Sequence, residues 1–450
     1  MDKKRFLIVG SGGRESAFAM KLAEDSILYA IIGHKNPTIT NYVKRSGGDY
    51  LIGNPSDPET VLTFAMQNSI DYTFVSADEP LANGVVDLLL ENNIKAIGGT
   101  KAATRIEWDK IYSIQLMKET CPEFTPFFVA VSNQEELTPA IEQFKERNLQ
   151  VVVKPQGLTG GKGVKVMTEH LPTYQDAINY ASTLLKEKPE EQVLLVEKLH
   201  GIEFTIMGLT DGENLVASPA SYDYPFRLED DLGAGTGGMG CFTNNENKLP
   251  FMSDKDLDDC KYVMQRVIDR MKHEDLFFNG VLNAGFFKTK NGIRFMEFNG
   301  RFGDPEGLNI LTVLKGSFSK LLEDIWHKNL SEKNVSFMEQ ASVIKYLVAK
   351  EYPEESPDPT SFYIDEHGIR SMGLNVFYAS CIEASDHYET LKKSRVLAIG
   401  AVSDSIEEAS TRIDDAIQKY VNGSLEYRKD IGSKANLEKL MRIAQKMQEA

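Results

Sequence analysis

Apolar residues fall into two rhythms along this chain. In the first hundred residues, short apolar runs at 5–9 (RFLIV), 28–32 (LYAII), 71–76 (DYTFVS) and 94–99 (IKAIGG) alternate with helical spacing near 14–24, 58–68 and 81–92. Strand–helix alternation at this interval predicts a parallel α/β sheet. An amphipathic stretch (KAATRIEWDKIYSIQLMKE) predicts one helix over about 100–120, ending in the linker-like CPEFTP. A smaller unit follows, from FFVAVS to a helix near 174–187, and contains the strand–turn–strand VVVKPQGLTGGKGVKVM at 151–167. Beyond the charged LKEKPEEQ at 185–192 come strands VLLVEKL, FTIMGLT and NLVASPA, a glycine-rich stretch at 221–240, and a long helix at 254–273. Strands GVLNAGFFKT and GIRFMEFN precede a helix expected at about 306–328. The tail from about 335 shows three more strand-like runs and two helices, with a turn-rich linker or insertion at 351–360. There is no internal repeat and no low-complexity tract.

Composition narrows the picture. A chain of 450 residues suggests two to four domains, and 42% hydrophobic with 26% charged residues is ordinary globular usage. The net charge of −16 argues against nucleic acid or an anionic membrane as partner. Any bound anion must be drawn in by a local site. Cys121, Cys241, Cys260 and Cys381 form no CxxC pair and fit buried thiols in a reducing cytoplasm. No apolar run reaches the length of a membrane span. The expectation is a soluble cytoplasmic protein.

Four stretches carry chemistry. In GSGGRESA (10–17) a strand runs through a glycine turn into a helix. Backbone N–H groups at that N-terminus could bind an anion with Arg14 as a clamp, or the turn is only a tight βα connection with Arg14 solvated. As a dinucleotide fingerprint it is poor, with Glu15 in place of the last glycine. In the hairpin at 151–167, Lys154 ends a strand and Lys162 sits in a loop with Gly160 and Gly161, an arrangement suited to two phosphates of one nucleotide. It is not a Walker A sequence. In RFMEFN, Glu297 and Asn299 are two apart on a strand and share a face. They are hard oxygen donors suited to Mg²⁺ (or Mn²⁺), while Met296 and Phe298 read as core. Arg301, Asp304 and Glu306 crowd the following turn. At 193–204, Glu197, the backbone of Leu199 and Glu203 could meet adenosine, although such a strand end is usually just a strand end. Seven histidines form no metal-spaced pair, and no protein nucleophile is evident.

Together these stretches resemble the ATP-grasp ligases, and among them the glycinamide ribonucleotide synthetase family. The likeness runs in order through GSGGRES, SADEPLANGVVD, IGGTKAATRIEWDK, VVVKPQGLTGGKGV, VEKLHGIE, TGGMG, EFNGRFGDPE and YRKDIG. It implies an N-terminal Rossmann-like pre-ATP-grasp domain at 1–120, a mobile lid at 121–192, the main ATP-grasp domain at 193–332 and a smaller C-terminal α+β domain at 333–450. It also implies that ATP phosphorylates the carboxylate of glycine and that the amine of phosphoribosylamine attacks the acyl phosphate. Carried over by position, Lys110, Lys154, Lys162, Gly160, Gly161, Glu197, Leu199 and Glu203 would contact ATP, and Glu297 and Asn299 the metal. Arg301, Asp304 and Glu306 would act at the amino-acid site. Gly12, Gly13, Arg14, Asp78, Glu79, Asp223, Gly237 and Gly238 would hold the other substrate. The partners are then small molecules, and the protein a monomer or homodimer.

The chain departs from that family at definite points. Ser16 stands where the family has His in its first turn. Asp223-Tyr224-Pro225-Phe226 replaces Asp-His-Lys-Arg, with only Arg227 close by. The loss of three cations leaves open a paralogous ligase joining a different amino acid and amine. A catalytically silent nucleotide-binding module is opposed by the intact Lys154, Lys162, Glu297 and Asn299.

Overall fold

The computed structural model describes residues 3–157, 163–356, 358–391 and 393–449. Its N-terminal part is the expected parallel sheet, in the order Tyr50–Ile52, Ile27–Ile32, Arg5–Val9, Tyr72–Phe74, Lys95–Ile97. The helix Pro37–Ser46 and the strand Tyr50–Ile52 are additions to the sequence expectation. Pro37 opens that helix, and Asn36 caps it by accepting from the Ile39 amide. The helix expected at 81–92 is split into Asp78–Ala82 and Val85–Glu91 by Gly84, which sits at φ 82°. The helix expected at 100–120 is also broken. Arg105–Trp108 ends at Asp109, whose extended backbone and carboxylate start a new helix, Lys110–Thr120.

The lid is a four-stranded antiparallel sheet in the order Phe128–Val131, Val193–Glu197, Val151–Pro155, Lys165–Val166. The predicted hairpin is there, pairing Val152 with Val166. Strand Val193–Glu197 pairs within this sheet, so the lid's strands run past the division placed at 192/193. Helices Gln134–Glu146 and Tyr174–Glu187 bury one face of it against Val151, Val153 and Leu195. On the other face Leu194 and Val196 meet Ile111 and Ile114.

Among the described residues the largest sheet has ten strands. Its main path runs Gly292–Asn299, Gly280–Thr289, Ile202–Thr210, Ser221–Asp223, Gly240–Thr243, Ala341–Ala349, Leu397–Ser403, Asn375–Tyr378. The C-terminal strands thus continue the sheet of the main ATP-grasp unit. The helix expected at 306–328 is two, Glu306–Val313 and Phe318–Trp326, because Gly316 at φ 80° ends the run and Ser317 caps the second helix. Among the described residues the tail holds three helices, not two: Glu366–Ser371, Ile406–Tyr420 and Lys434–Glu449. All four cysteines are buried and free. No helix among the described residues is long and apolar enough to cross a membrane.

Tyr224 is a strut in this core. Its hydroxyl donates to Asn436 Oδ1 at 2.8 Å and accepts from the Gly432 amide at 3.2 Å, and the Arg428 guanidinium stands 4.9 Å from its ring. Tyr224→Phe would leave two buried polar groups unpaired, at about 1–3 kcal/mol each if water cannot reach them. A lowered denaturant midpoint is expected for that variant, and an unchanged midpoint would refute the role.

Candidate active site

Where lid, N-terminal unit and central sheet meet there is a cleft of about 480 Å³. One end is apolar, with Ile106, Ile114, Leu194 and Val196. The other carries Arg14, Asp78, Arg301, Asp304, Glu306 and Arg395, and Lys110 and Lys154 lie along the same walls.

The floor follows from strand register. Glu297 is aligned with Gly285, and Gly285 with Thr205, while Asn299 faces Asn283. Two-residue periodicity then turns Glu203, Thr205, Asn283, Glu297 and Asn299 to one side. The register slips between Gly285 and Phe286, so Met296 is an extra residue in its strand. That bulge corrects the expectation that Met296 is core, because it is half-buried and lines the cleft, whereas Phe298 is buried as expected.

Lys110 gains its place from the helix break at Asp109. Its Nζ donates to Gly157 O at 2.7 Å and its amide to Gln156 O, so it holds the root of the lid loop. Burial lowers its pKa, partly offset by Glu297. Gly160, Gly161 and Lys162 lie outside the described residues. Glu107, which the sequence reading missed, is buried and bridges the Gly300 amide at 2.8 Å to Arg301 Nε at 3.1 Å. Burial raises its pKa. Asp78 shows the opposite balance: burial pushes its pKa up, but Arg301, Arg14 and backbone hydrogen bonds together hold it down.

Several expected residues do other work. Gly12 donates its amide to Glu15 Oε2 at 2.7 Å, so the helix's own carboxylate occupies the N-terminus expected to bind an anion. Gly13 packs under Tyr346, whose hydroxyl a Cβ there would overlap. Arg14 does line the cleft, tied to Glu15 at 2.8 Å and to Phe302 O at 2.9 Å. Glu79 is exposed and meets Ser56 instead. Glu197 accepts from the Phe127 amide at 2.9 Å and, with Leu199, lines a second cleft at the lid hinge. Arg227 is buried and faces Tyr352 O and Glu426, away from the cleft. Ser16 is fully buried and donates to Tyr378 O at 2.5 Å. Arg395 had no signal in the sequence, because a lone arginine before a strand looks like any surface cation.

Glu203, Asp223, Glu297 and Glu306 share this cleft. Withdrawal from water, reinforced by Glu297, pushes Glu203 up to about 7. Burial, with Glu306 and Glu203 adding, raises Asp223 well above the usual range, and burial also raises Glu306. The buried Asn283 Oδ1 has no hydrogen-bond partner among the described residues, although it faces the cleft. Crowded carboxylates and an unpartnered amide oxygen suit a hard divalent cation. Among the described residues no three His, Cys, Asp or Glu side chains form a closed metal cage. That also suits Mg²⁺, which keeps waters and takes phosphate oxygens.

Comparison with known proteins identifies the family. Residues 4–107, 108–307 and 342–434 match the N domain, the ATP-grasp (A) domain and the C domain of phosphoribosylglycinamide synthetase. The chain belongs to the phosphoribosylglycinamide synthetase family. Phosphoribosylamine–glycine ligase of Thermococcus kodakarensis is 36% identical over 98% of this chain and 99% of its own length. That of Methanocaldococcus jannaschii is 37% identical, over 97% and 98%. The crystal structure of phosphoribosylamine–glycine ligase from Thermotoga maritima shares the fold, with a TM-score of 0.77 at 23% identity, covering 95% of this chain and 100% of that one. So does the biotin carboxylase domain of Hydrogenobacter thermophilus 2-oxoglutarate carboxylase, solved with MgADP, at a TM-score of 0.68, 16% identity and coverage of 99% and 94%.

The acidic cluster of this synthetase-family cleft has a measurable consequence. Folded Glu203 keeps its proton to about 7, whereas its ordinary value is 4.5. The folded state then binds more protons than the unfolded chain between those values, and stability falls as pH rises through that window. The melting temperature of ligand-free protein is expected to drop from pH 4.5 to 7 by this contribution, and Glu203→Gln to flatten the drop. An identical slope in the variant would refute the assignment.

Proposed function

We propose that this chain is an ATP-dependent carboxylate–amine ligase that joins glycine to 5-phosphoribosylamine, giving glycinamide ribonucleotide, ADP and phosphate in purine biosynthesis. The observation that carries this reading is one cleft in which Lys110 and Lys154 share walls with Glu297 and Asn299, in a chain whose relatives bear that enzyme's name. The apolar end suits the adenine base, with Glu203 at its ribose, and the lysines suit its phosphates. Lys162, Gly160 and Gly161 complete the phosphate site in the proposed arrangement. Mg²⁺ (or Mn²⁺), when bound by Glu297 and Asn299, neutralises phosphate charge. The protein works in the cytoplasm as a monomer or homodimer.

A carboxylate is a poor electrophile, and this cleft answers that by positioning and charge. A glycine carboxylate oxygen attacks the γ-phosphorus of ATP, the bond to the β,γ-bridging oxygen breaks, and ADP leaves. The amine nitrogen of phosphoribosylamine then attacks the acyl carbon. The carbon–oxygen bond to phosphate breaks and inorganic phosphate departs, while the amine sheds a proton. Asp304 and Glu306 hold the glycine ammonium beside Gly237 and Gly238, and Arg301 balances the charge. Arg14, Asp78 and Asp223 orient the phosphoribosylamine.

Phosphate release from ATP is expected with glycine plus freshly generated phosphoribosylamine, and not with either alone. Glu297→Gln should lower kcat at least about 100-fold, the scale of a lost charge-stabilising group, with circular dichroism unchanged. Wild-type-like turnover would refute the metal assignment. The Tyr-Pro-Phe at 224–226 supports a second reading, a different acceptor amine. Turnover with another amine but none with phosphoribosylamine would select it.

A further inference from the structure

Arg227 is the only basic residue of the loop at 223–240 and it turns away from the cleft, yet a cation does reach this loop from far along the chain. Arg395 lies two residues before strand Leu397–Ser403. Its Nη1 donates to Gly237 O at 2.7 Å, Gly238 O at 3.0 Å and Asp304 O at 2.8 Å, and stands 3.3 Å from Asp304 Oδ1. Its guanidinium carbon is 4.4 Å from the centre of the Tyr346 ring, and the Tyr346 hydroxyl donates to Asp304 at 2.7 Å. One nitrogen is therefore saturated by protein, and the side chain is held at 13% exposure.

The opposite edge of the group is different. Nε and Nη2 of Arg395 have no hydrogen-bond partner among the described residues, and the residue lines the cleft. That edge presents two parallel N–H donors, the geometry that matches a carboxylate in a bidentate pair. The other two arginines of the cleft lack it. Arg14 spends Nε on Glu15, and Arg301 spends Nε on Glu107, Nη1 on Phe302 O and Nη2 on Asn299. The neighbours Asp304 and Glu306 suit an ammonium group, so a zwitterionic amino acid would find partners for both its charges here.

We propose that the open edge of Arg395 binds the carboxylate of the amino-acid substrate and holds it in the pose from which it is phosphorylated. This rests on the ligase reading of the same cleft. It makes Arg395 a specificity-determining residue, which selects amino acids over amines that lack a carboxylate.

The test compares glycine with glycinamide, which keeps the ammonium and lacks the carboxylate. Affinity for each is measured by thermal shift and competition in the full chain with Mg²⁺ and a non-hydrolysable ATP analogue, for wild type, Arg395→Lys and Arg395→Met. A charge-assisted bidentate pair corresponds to a preference of about 10- to 100-fold, so wild type should favour glycine by that factor. Arg395→Met should bring the preference to near unity, with Arg395→Lys between, while the stabilisation by the ATP analogue persists. Millimolar guanidinium should partly restore glycine-dependent turnover to Arg395→Met. A preference that survives in Arg395→Met, or is absent from wild type, overturns the proposal and leaves Arg395 as a clamp on the loop. Failure of the ligase reading is separate, and shows as no phosphate release by wild type with glycine and phosphoribosylamine.

Discussion

Strand Gly240–Thr243 pairs antiparallel with residues 342–345 of strand Ala341–Ala349, and this short ladder joins the two halves of the central sheet. Gly240 makes it possible, because a Cβ there would run into the backbone carbonyl of Ile344. On one side of the ladder lie the strands that carry Glu203, Asn283, Glu297 and Asn299. On the other, the C-terminal strands bring Tyr346 and Arg395 to Asp304. Without the ladder the metal-suited face and the anion-suited corner would belong to separate bodies. Its neighbours in the core, Phe242, Val343 and Ile399, bury the joint in one apolar cluster.

The site concentrates charge that the whole molecule does not favour. A chain of net charge −16 repels anions at long range, yet Lys110, Lys154, Arg14, Arg301 and Arg395 all line one cleft. Inside it, carboxylates sit close enough to raise one another's pKa. The two populations interleave and are fixed by short ties: Phe302 holds Arg14 through its carbonyl and Ser76 through its amide, Glu107 pairs with Arg301 and the Gly300 amide, and Arg395 stands against Asp304. Burial and mutual repulsion favour the protonated forms of Glu203, Asp223 and Glu306.

Helix breaks were the least legible feature. Asp109, Gly84 and Gly316 interrupt runs whose apolar spacing reads as continuous, because each break depends on one cap or one left-handed φ. The break at Asp109 matters most, since it sets Lys110 at a helix start facing the lid. Register slips were equally hidden. The bulge at Met296 exchanges the faces of its strand, and its only trace in the sequence is that two apolar residues, Phe295 and Met296, stand side by side.

Local pattern by itself determined the parallel N-terminal sheet, the hairpin at 151–167 and the shared face of Glu297 and Asn299, because side-chain direction in a strand repeats every two residues. The order of quoted segments, from GSGGRES to YRKDIG, also determined the family. Only the tertiary structure decided which cations face the glycine-rich loop at 223–240. Tyr224 became a buried strut, Arg227 turned toward Tyr352, and Arg395 came in from a strand more than 150 residues away. The physical reason is that a charge acts through distance in space, and no spacing along the chain records which distant cation the sheet will carry into the cleft.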